Sequence, residues 1–260
     1  MIIAYYRGKW EAVLLKAVIL AAGKGTRLRE LTADKPKPMV RVGNSTALER
    51  IVAGISQAGI REFVFVVGYR REVIEKYFGD GSKFGIKITY IHQKEQTGTG
   101  SAVHLTAPAV GEEPFLMSFG DIIIPPANYQ AMVNSYRETG AQVILALNWV
   151  DDPYRGAAVY LDQNNRVERI VEKPPRGTAT TNWNNAGIFL FSPLIFQYTA
   201  KLTPSQRGEY ELPQAIANMI RDGRQVEGFK LQGYWGDIGT PQELEQMQSV
   251  VADSNLGGRQ

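Results

Sequence analysis

Leu20-Ala21-Ala22-Gly23-Lys24-Gly25-Thr26-Arg27-Leu28, followed by Lys35-Pro36-Lys37-Pro38-Met39, is the stretch on which the fold turns. It continues Ala17-Val18-Ile19-Leu20, an apolar run with the character of a buried first strand. Small residues at Ala21, Ala22, Gly23 and Gly25 let backbone N–H groups approach a ligand closely. Arg27 and Lys37 add fixed positive charge with little bulk around them. The combination suits a polyphosphate. Two commoner phosphate motifs fail here. A dinucleotide fingerprint needs a third glycine three residues after the second, and Leu28 stands there. A Walker loop needs an upstream glycine and a Gly-Lys-Ser/Thr, and Gly23-Lys24 is followed by Gly25. A bare G-x-G would be only a strand-to-helix turn. Thr26-Arg27-Leu28 and the Lys-Pro-Lys-Pro run behind it argue for more.

Outward from this loop, the first half alternates apolar runs with helical stretches. Strands are expected at 16–20, 63–67, 86–91, 115–119 and 143–147. Helices are expected from the capping box Thr46-x-x-Glu49 to near Gly59, and over 70–78, 100–107 and 128–139. The 70–78 helix would bury Val73, Ile74 and Tyr77 on one face. Strands separated by helices of this length imply right-handed crossovers and a mainly parallel sheet. The second half differs. Residues 157–161 and 167–171 flank a turn at Gln163-Asn164-Asn165 and predict a hairpin. Residues 173–185 form a loop, 187–191 a strand, and 210–221 and 241–251 amphipathic helices. The expected class is α/β, a Rossmann-like mainly parallel mixed sheet flanked by helices, with a smaller β-rich half. Residues 16–253 form one domain with halves 16–150 and 151–253, after an extension at 1–15 and before a flexible tail at 254–260.

Bulk properties exclude several classes. A chain of 260 residues easily buries one large core, and no apolar run is long enough to span a bilayer. The net charge of +3 comes from scattered basic residues, which leaves no nucleic-acid footprint. The absence of cysteine removes disulfides, thiol nucleophiles and Cys-based zinc sites. With no signal-peptide pattern, a cytoplasmic protein is expected. His92 and His104 stand at no metal-ligand spacing, so ordinary polar roles are expected for both.

In an open parallel sheet, ligands bind beyond the carboxyl ends of the strands. The chemistry-bearing residues fall at those ends: the 21–27 loop, Gly68-Tyr69, His92-Gln93 and Gly120-Asp121. Asp121 closes a hydrophobic strand, and Asp237 lies far away in Tyr234-Trp235-Gly236-Asp237-Ile238-Gly239-Thr240-Pro241. Two carboxylates from distant segments can hold one Mg2+ against phosphate oxygens. Gln93, with a donor and an acceptor, can pair with the imide edge of uracil or thymine, and Gly98 would allow a backbone contact to the base.

These motifs, in this order over about residues 16 to 251, closely resemble the signature of the sugar-1-phosphate nucleotidyltransferases. The resemblance is nearest to uridylyl- and thymidylyltransferases acting on glucose-1-phosphate or N-acetylglucosamine-1-phosphate. It implies the nucleotide-diphospho-sugar transferase fold and the conversion of a sugar-1-phosphate and an NTP, UTP or dTTP favoured, to an NDP-sugar and pyrophosphate. It places the nucleotide on Leu20, Ala21, Ala22, Gly23, Gly25, Thr26, Arg27, Gln93, Gly98 and Thr99. It implies Mg2+ on Asp121 and Asp237, with Arg27 gripping the β- and γ-phosphates and Lys37 stabilising the transition state. Glu172-Lys173-Pro174 would take sugar hydroxyls on Glu172 and the sugar phosphate on Lys173, and Asn185 would bind hydroxyls. Tyr154-Arg155-Gly156 inverts the family's Arg-Tyr-Gly order, and Gly156 still fits a close backbone approach. Phe119 stands where many relatives carry a small polar residue. The long β-helix found C-terminally in some relatives is absent from this sequence. The implied partners are substrates alone, with no nucleic acid and no membrane. Relatives range from monomers to tetramers, which leaves a homo-oligomer open.

Three rival readings remain at this stage. One is a GTP-dependent mannose-1-phosphate guanylyltransferase. Another is a catalytically silent regulatory subunit, against which the presence of Arg27, Lys37, Asp121 and Asp237 argues. The last is a relative acting on another phosphate, which the Glu172-Lys173 and Asn185 segments disfavour.

Overall fold

The computed structural model describes residues 15–256; the expected extension, apart from Leu15, and residues 257–260 lie outside the described part. The chain runs β1 (Lys16–Ala21), the short hairpin β2 (Arg41–Val42) and β3 (Ser45–Thr46), α1 (Ala47–Gln57), β4 (Glu62–Val67), α2 (Arg71–Phe78) and β5 (Lys87–His92). Next come α3 (Thr99–His104), α4 (Ala107–Val110), β6 (Phe115–Phe119), β7 (Ile122–Ile123), α5 (Ala127–Thr139) and β8 (Val143–Trp149). The second half contains β9 (Ala157–Leu161), β10 (Val167–Glu172), β11 (Trp183–Phe191), α6 (Ile195–Thr199), α7 (Leu212–Arg221), β12 (Val226–Lys230), β13 (Gly236–Asp237) and α8 (Pro241–Leu256). Helix α8 carries residues 254–256, which were expected in a tail. Among the described residues no helix is long and apolar enough to cross a membrane.

After Lys16, β1 is apolar from Ala17 to Ala21 because it is buried on both faces. Ala17, Ile19 and Ala21 point into one core with Phe63, Phe65 and Leu116, while Val18 joins Val64, Val66 and Met117 in the other. Each fully buried large side chain of this kind contributes about 1.5–3 kcal/mol. β1 pairs in parallel with β4 and β6, and β4 in parallel with β5, so the expected parallel core is present.

The next neighbour departs from the sequence pattern. β11 lies antiparallel between β6 and β8, so the strand over 143–147 does not follow the fourth directly. β11 is also longer than expected, because its first half leaves β6. Its pairing with β8 shifts register between Asn185 and Phe189, and Asn184 pairs with Ala158 of β9. Gly187 sits at this irregularity with φ +79°, where a Cβ would lie 2.5 Å from the Phe119 ring. The sheet therefore forks between β6 and β9. The 157–161 and 167–171 hairpin forms as expected, while β12 and the β7–β13 pair were not visible in the sequence.

Helix α1 begins where the capping box puts it. Glu49 N–H donates to Thr46 Oγ1 at 3.2 Å, and Thr46 N–H to Glu49 Oε2 at 3.4 Å. In α2 the buried face is Ile74 and Phe78. Tyr77 turns outward instead, donating its hydroxyl to Glu49 Oε2 at 2.9 Å. Thr46→Ala should lower unfolding free energy by about 0.5–2 kcal/mol in denaturant melts while leaving nucleotide affinity unchanged.

Candidate active site

Two cavities meet at the carboxyl ends of the parallel strands. The smaller, about 410 Å3, is lined by Leu20, Ala21, Ala22, Gly23 and Gly25 from the loop after β1, with Lys37, Gln93, Gly98 and Asp121. The larger, about 920 Å3, opens in the fork of the sheet and is lined by Gly156, Glu172, Lys173, Asn185 and Asp237. Thr99, Phe119 and Glu209 line both. The residues expected around a nucleotide and those expected around a sugar thus separate into adjoining spaces. Two placements differ from that division. Arg27 lines the larger space, and Thr26 is exposed and lines neither.

One side of the smaller cavity is built from closely packed backbone. Gly98 has φ +122°, and a Cβ on it would stand 2.5 Å from the Tyr210 carbonyl oxygen, so only glycine fits. Around it, Gly100 N–H donates to Tyr210 O and Tyr210 N–H to Thr97 O, both at 2.8 Å. Thr99 Oγ1 accepts from Leu212 N–H at 3.1 Å. Gln93 is buried, its amide nitrogen a long 3.5 Å from the Gly98 carbonyl. Gln96, which the sequence reading did not single out, donates to Ala22 O at 2.6 Å and ties this segment to the glycine-rich loop.

At the junction, β7 and β13 form a two-stranded antiparallel ladder in which Asp237 pairs with Ile122. Ile238 N–H then donates to Asp121 O at 3.3 Å. The two aspartates are therefore neighbours in space, which nothing local in the sequence established. Lys37, itself buried, makes an ion pair with Asp121 Oδ2. Asp237 Oδ1 accepts from Gly239 N–H at 2.9 Å. Gly239 is hemmed in: a Cβ there would lie 2.8 Å from Asp237 Oδ1 and 2.9 Å from both an Arg27 guanidinium nitrogen and Glu243 Oε2. Among the described residues, no set of three or more His, Asp or Glu side chains converges as a metal cage.

Glu243 was also missed, and for a physical reason. Thr240-x-x-Glu243 repeats the capping-box pattern at the start of α8, and Glu243 N–H does donate to Thr240 Oγ1 at 3.2 Å. Its carboxylate goes elsewhere. Oε1 stands 3.7 Å from Arg155, and Oε2 is buried without a hydrogen-bond partner on the Arg27 side.

In the larger cavity, Gly156 allows the close approach expected of it, since a Cβ would strike Asn184 Oδ1. Lys173 holds φ 44°, a conformation non-glycine residues avoid, and donates its N–H to Gly156 O at 2.7 Å. Asn185 Oδ1 accepts from Gly187 N–H at 2.9 Å, which leaves the amide NH2 for other partners. Arg207, a further unexpected residue, stands 2.7 Å from Glu211 Oε1 and 3.5 Å from Glu172 Oε1. Burial and the nearby Glu211 charge raise the Glu172 carboxyl above its ordinary value, against the pull of Lys173 and Arg207. Burial also acts to raise Glu211, but hydrogen bonds from Ser205 and Arg207 outweigh it and hold that carboxyl low. Both histidines have ordinary polar partners: His92 meets Glu75 at 2.8 Å and His104 meets Thr199 at 3.1 Å.

The nucleotidyl transferase family profile matches residues 16–254. The UTP–glucose-1-phosphate uridylyltransferase AglF of Haloferax volcanii is 36% identical over 92% of this chain and 97% of its own length. The bifunctional protein GlmU of Methanococcus maripaludis is 36% identical over 88% of this chain, which spans only 53% of that relative. Among solved structures, a protein described as a glucose-1-phosphate thymidylyltransferase from Bacillus anthracis, in complex with a sucrose, superposes with a TM-score of 0.84 at 27% identity, covering 92% of this chain and 96% of that one.

The raised Glu172 carboxyl makes stability depend on pH with a definite sign. Between its unfolded and folded values the folded state keeps a proton that the unfolded chain has released, so stability falls as pH rises through that window. Glu172→Gln should remove this contribution and flatten the thermal midpoint against pH on the acid side of neutrality.

Proposed function

The chain belongs to the nucleotidyl transferase family, and on that premise we propose that it joins UTP or dTTP to a sugar-1-phosphate, releasing pyrophosphate. The observation that carries this reading is the meeting of the two cavities at the β7–β13 ladder, with Asp121 on one side and Asp237 on the other. A nucleotide with its phosphates at the glycine-rich loop and a sugar-1-phosphate in the fork would bring their phosphates together there.

In the reaction a phosphate oxygen of the sugar-1-phosphate attacks the α-phosphorus in line. The new P–O bond forms as the bond to the β-phosphate bridging oxygen breaks, and pyrophosphate leaves. No protein nucleophile is needed; the work is positioning and neutralising charge. The loop from Ala21 to Gly25 would receive the phosphates on backbone N–H groups, with Arg27 on the leaving pyrophosphate. Lys37 would place its ammonium at the α-phosphate, and Lys173 with Arg207 would orient the attacking phosphate. Gln93 and Gly98 would read the imide edge of a pyrimidine. Glu172 and the free Asn185 amide would take sugar hydroxyls. The hard oxygen donors of Asp121 and Asp237 fit Mg2+, which when bound there supplies charge neutralisation at the phosphates.

The deciding measurement is Mg2+-dependent pyrophosphate release, crossing UTP, dTTP, GTP, CTP and ATP with glucose-, N-acetylglucosamine- and mannose-1-phosphate. Turnover with UTP or dTTP and a gluco-configured sugar is the expected result. Preference for GTP with mannose-1-phosphate overturns the role given to Gln93, and silence with every pair from protein that still binds nucleotide overturns the catalytic reading. Asp121→Asn or Asp237→Asn should each lower kcat about 10²- to 10³-fold, as for loss of a preorganised electrostatic partner. Lys37→Met should cost a similar factor in turnover. By freeing the Asp121 carboxylate, it should also tighten Mn2+ binding in the absence of nucleotide, read by electron paramagnetic resonance.

A further inference from the structure

The loop carrying Lys24, Arg27 and the glycines is largely exposed, and its internal ties are short-range. Leu28 N–H donates to Gly25 O at 3.0 Å, and Thr32 Oγ1 to the same carbonyl at 3.1 Å. Its neck is bridged from outside by Tyr69, which follows β4. Tyr69 N–H donates to Ala22 O, at the start of the loop, at 3.2 Å. Its hydroxyl lies 3.2 Å from both Thr32 O and Ala33 O, at the end of the loop. The Lys24 ammonium stands 5.6 Å from the ring centroid, within cation–π range. One residue thus meets the beginning of the loop through its backbone N–H, and the body and the end of the loop through its side chain.

The residues on either side of Tyr69 fix its place. A Cβ on Gly68 would lie 2.9 Å from Ala22 O and 3.2 Å from Gln93 O, so only glycine lets β4 end this close to β1. Arg70 takes φ 49°, a left-handed conformation that a non-glycine residue holds only when its surroundings over-determine it. That turn starts α2 and leaves the Tyr69 ring against the loop. Tyr69 lines neither of the two site cavities; it lines an adjoining one of about 440 Å3 that shares Gln93 and Gln96 with the smaller of them.

We propose that Tyr69 is a positioning residue for the nucleotide's polyphosphate, acting by closing the neck of the loop that carries Lys24 and Arg27. The proposal rests on the nucleotidyltransferase reading of that loop. A loop held at both ends keeps its N–H groups and its cations aimed before the triphosphate arrives, so its ordering is not charged against binding. The effect falls on nucleotide binding and not on the sugar side.

The test is Tyr69→Phe in the full chain, which keeps the ring and removes only the hydroxyl. The KM for the nucleoside triphosphate should rise about three- to tenfold, the worth of one net hydrogen bond. The KM for the sugar phosphate should be unchanged and kcat should stay within about twofold. Hydrogen exchange of the amides of 23–33 should accelerate, while that of β4 and α2 should not. Tyr69→Ala should enlarge the same pattern. Unchanged exchange in the loop, or exchange accelerating throughout with both KM values rising together, overturns the proposal. If no substrate pair turns over, the functional reading fails separately, and the exchange measurement still decides whether Tyr69 braces the loop.

Discussion

The ladder between Ile122-Ile123 and Gly236-Asp237 is the contact on which the site depends. It is only two residues long on each strand, too short to stand alone. Its support is a small apolar cluster in which Ile123 and Ile238 pack with Leu28, Val40, Val42, Ala47, Leu244 and Met247. Those residues belong to the glycine-rich loop, the segment after Lys37, the β2–β3 hairpin, α1 and α8. One cluster therefore fastens the glycine-rich loop, the lysine segment and both aspartates to each other. Trp235 adds a tie to the fork by donating its indole N–H to Ala186 O at 3.0 Å. A cavity cut into this cluster would be felt by several functional groups at once, because side chains in a close-packed interior move together.

Charge at the site is balanced in pairs. Lys37 sits on Asp121, Arg207 on Glu211 and Glu172, and Arg155 beside Glu243, while Arg27 looks across Gly239 at Asp237. Desolvating an unpaired ion is expensive, so a protein that must bind phosphates needs partners for its cations before phosphates arrive. Carboxylates fill that role and are themselves the groups that suit a divalent cation. Substrate and metal would then exchange one set of pairings for another.

The sequence made the parallel core legible because β1, β4 and β6 are long enough to show an apolar signal, and the glycine-rich loop legible because only small residues and two cations recur there. The capping box at Thr46 was readable for the same local reason. What escaped were features fixed by partners far along the chain. β7 and β13 are too short to carry any period. β12, Val226–Lys230, is interrupted by Gly228, whose missing side chain makes room for Leu147 and Leu161. Glu243 had the spacing of a cap, and only the fold reveals that its carboxylate faces arginines instead. Arg207 and Gln96 sit in polar loops, where composition gives no hint of direction. Tyr77 had the right spacing for the core, but Phe78 took that place.

The fork in β11 shows how one irregularity makes a binding space. β11 pairs with β6 only from Ile188 to Phe191, and its first half runs on beside β8 and β9. Gly187, held at φ +79° against Phe119, breaks that pairing, and Asn185 caps the break by accepting the Gly187 N–H. The residue before it is pinned as well: Asn184 donates to Asn148 Oδ1 at 2.9 Å and packs against Gly156 at the start of the neighbouring β9. The asparagines that open the cavity are thereby the ones whose side chains are already partly used. Asn185 lines the cavity with one oxygen lone pair engaged by Gly187 N–H. Glu172 lines the same cavity, with Oε1 3.5 Å from Arg207. Under the proposed function a sugar hydroxyl, which both donates and accepts, would find a donor in the Asn185 amide and an acceptor in Glu172.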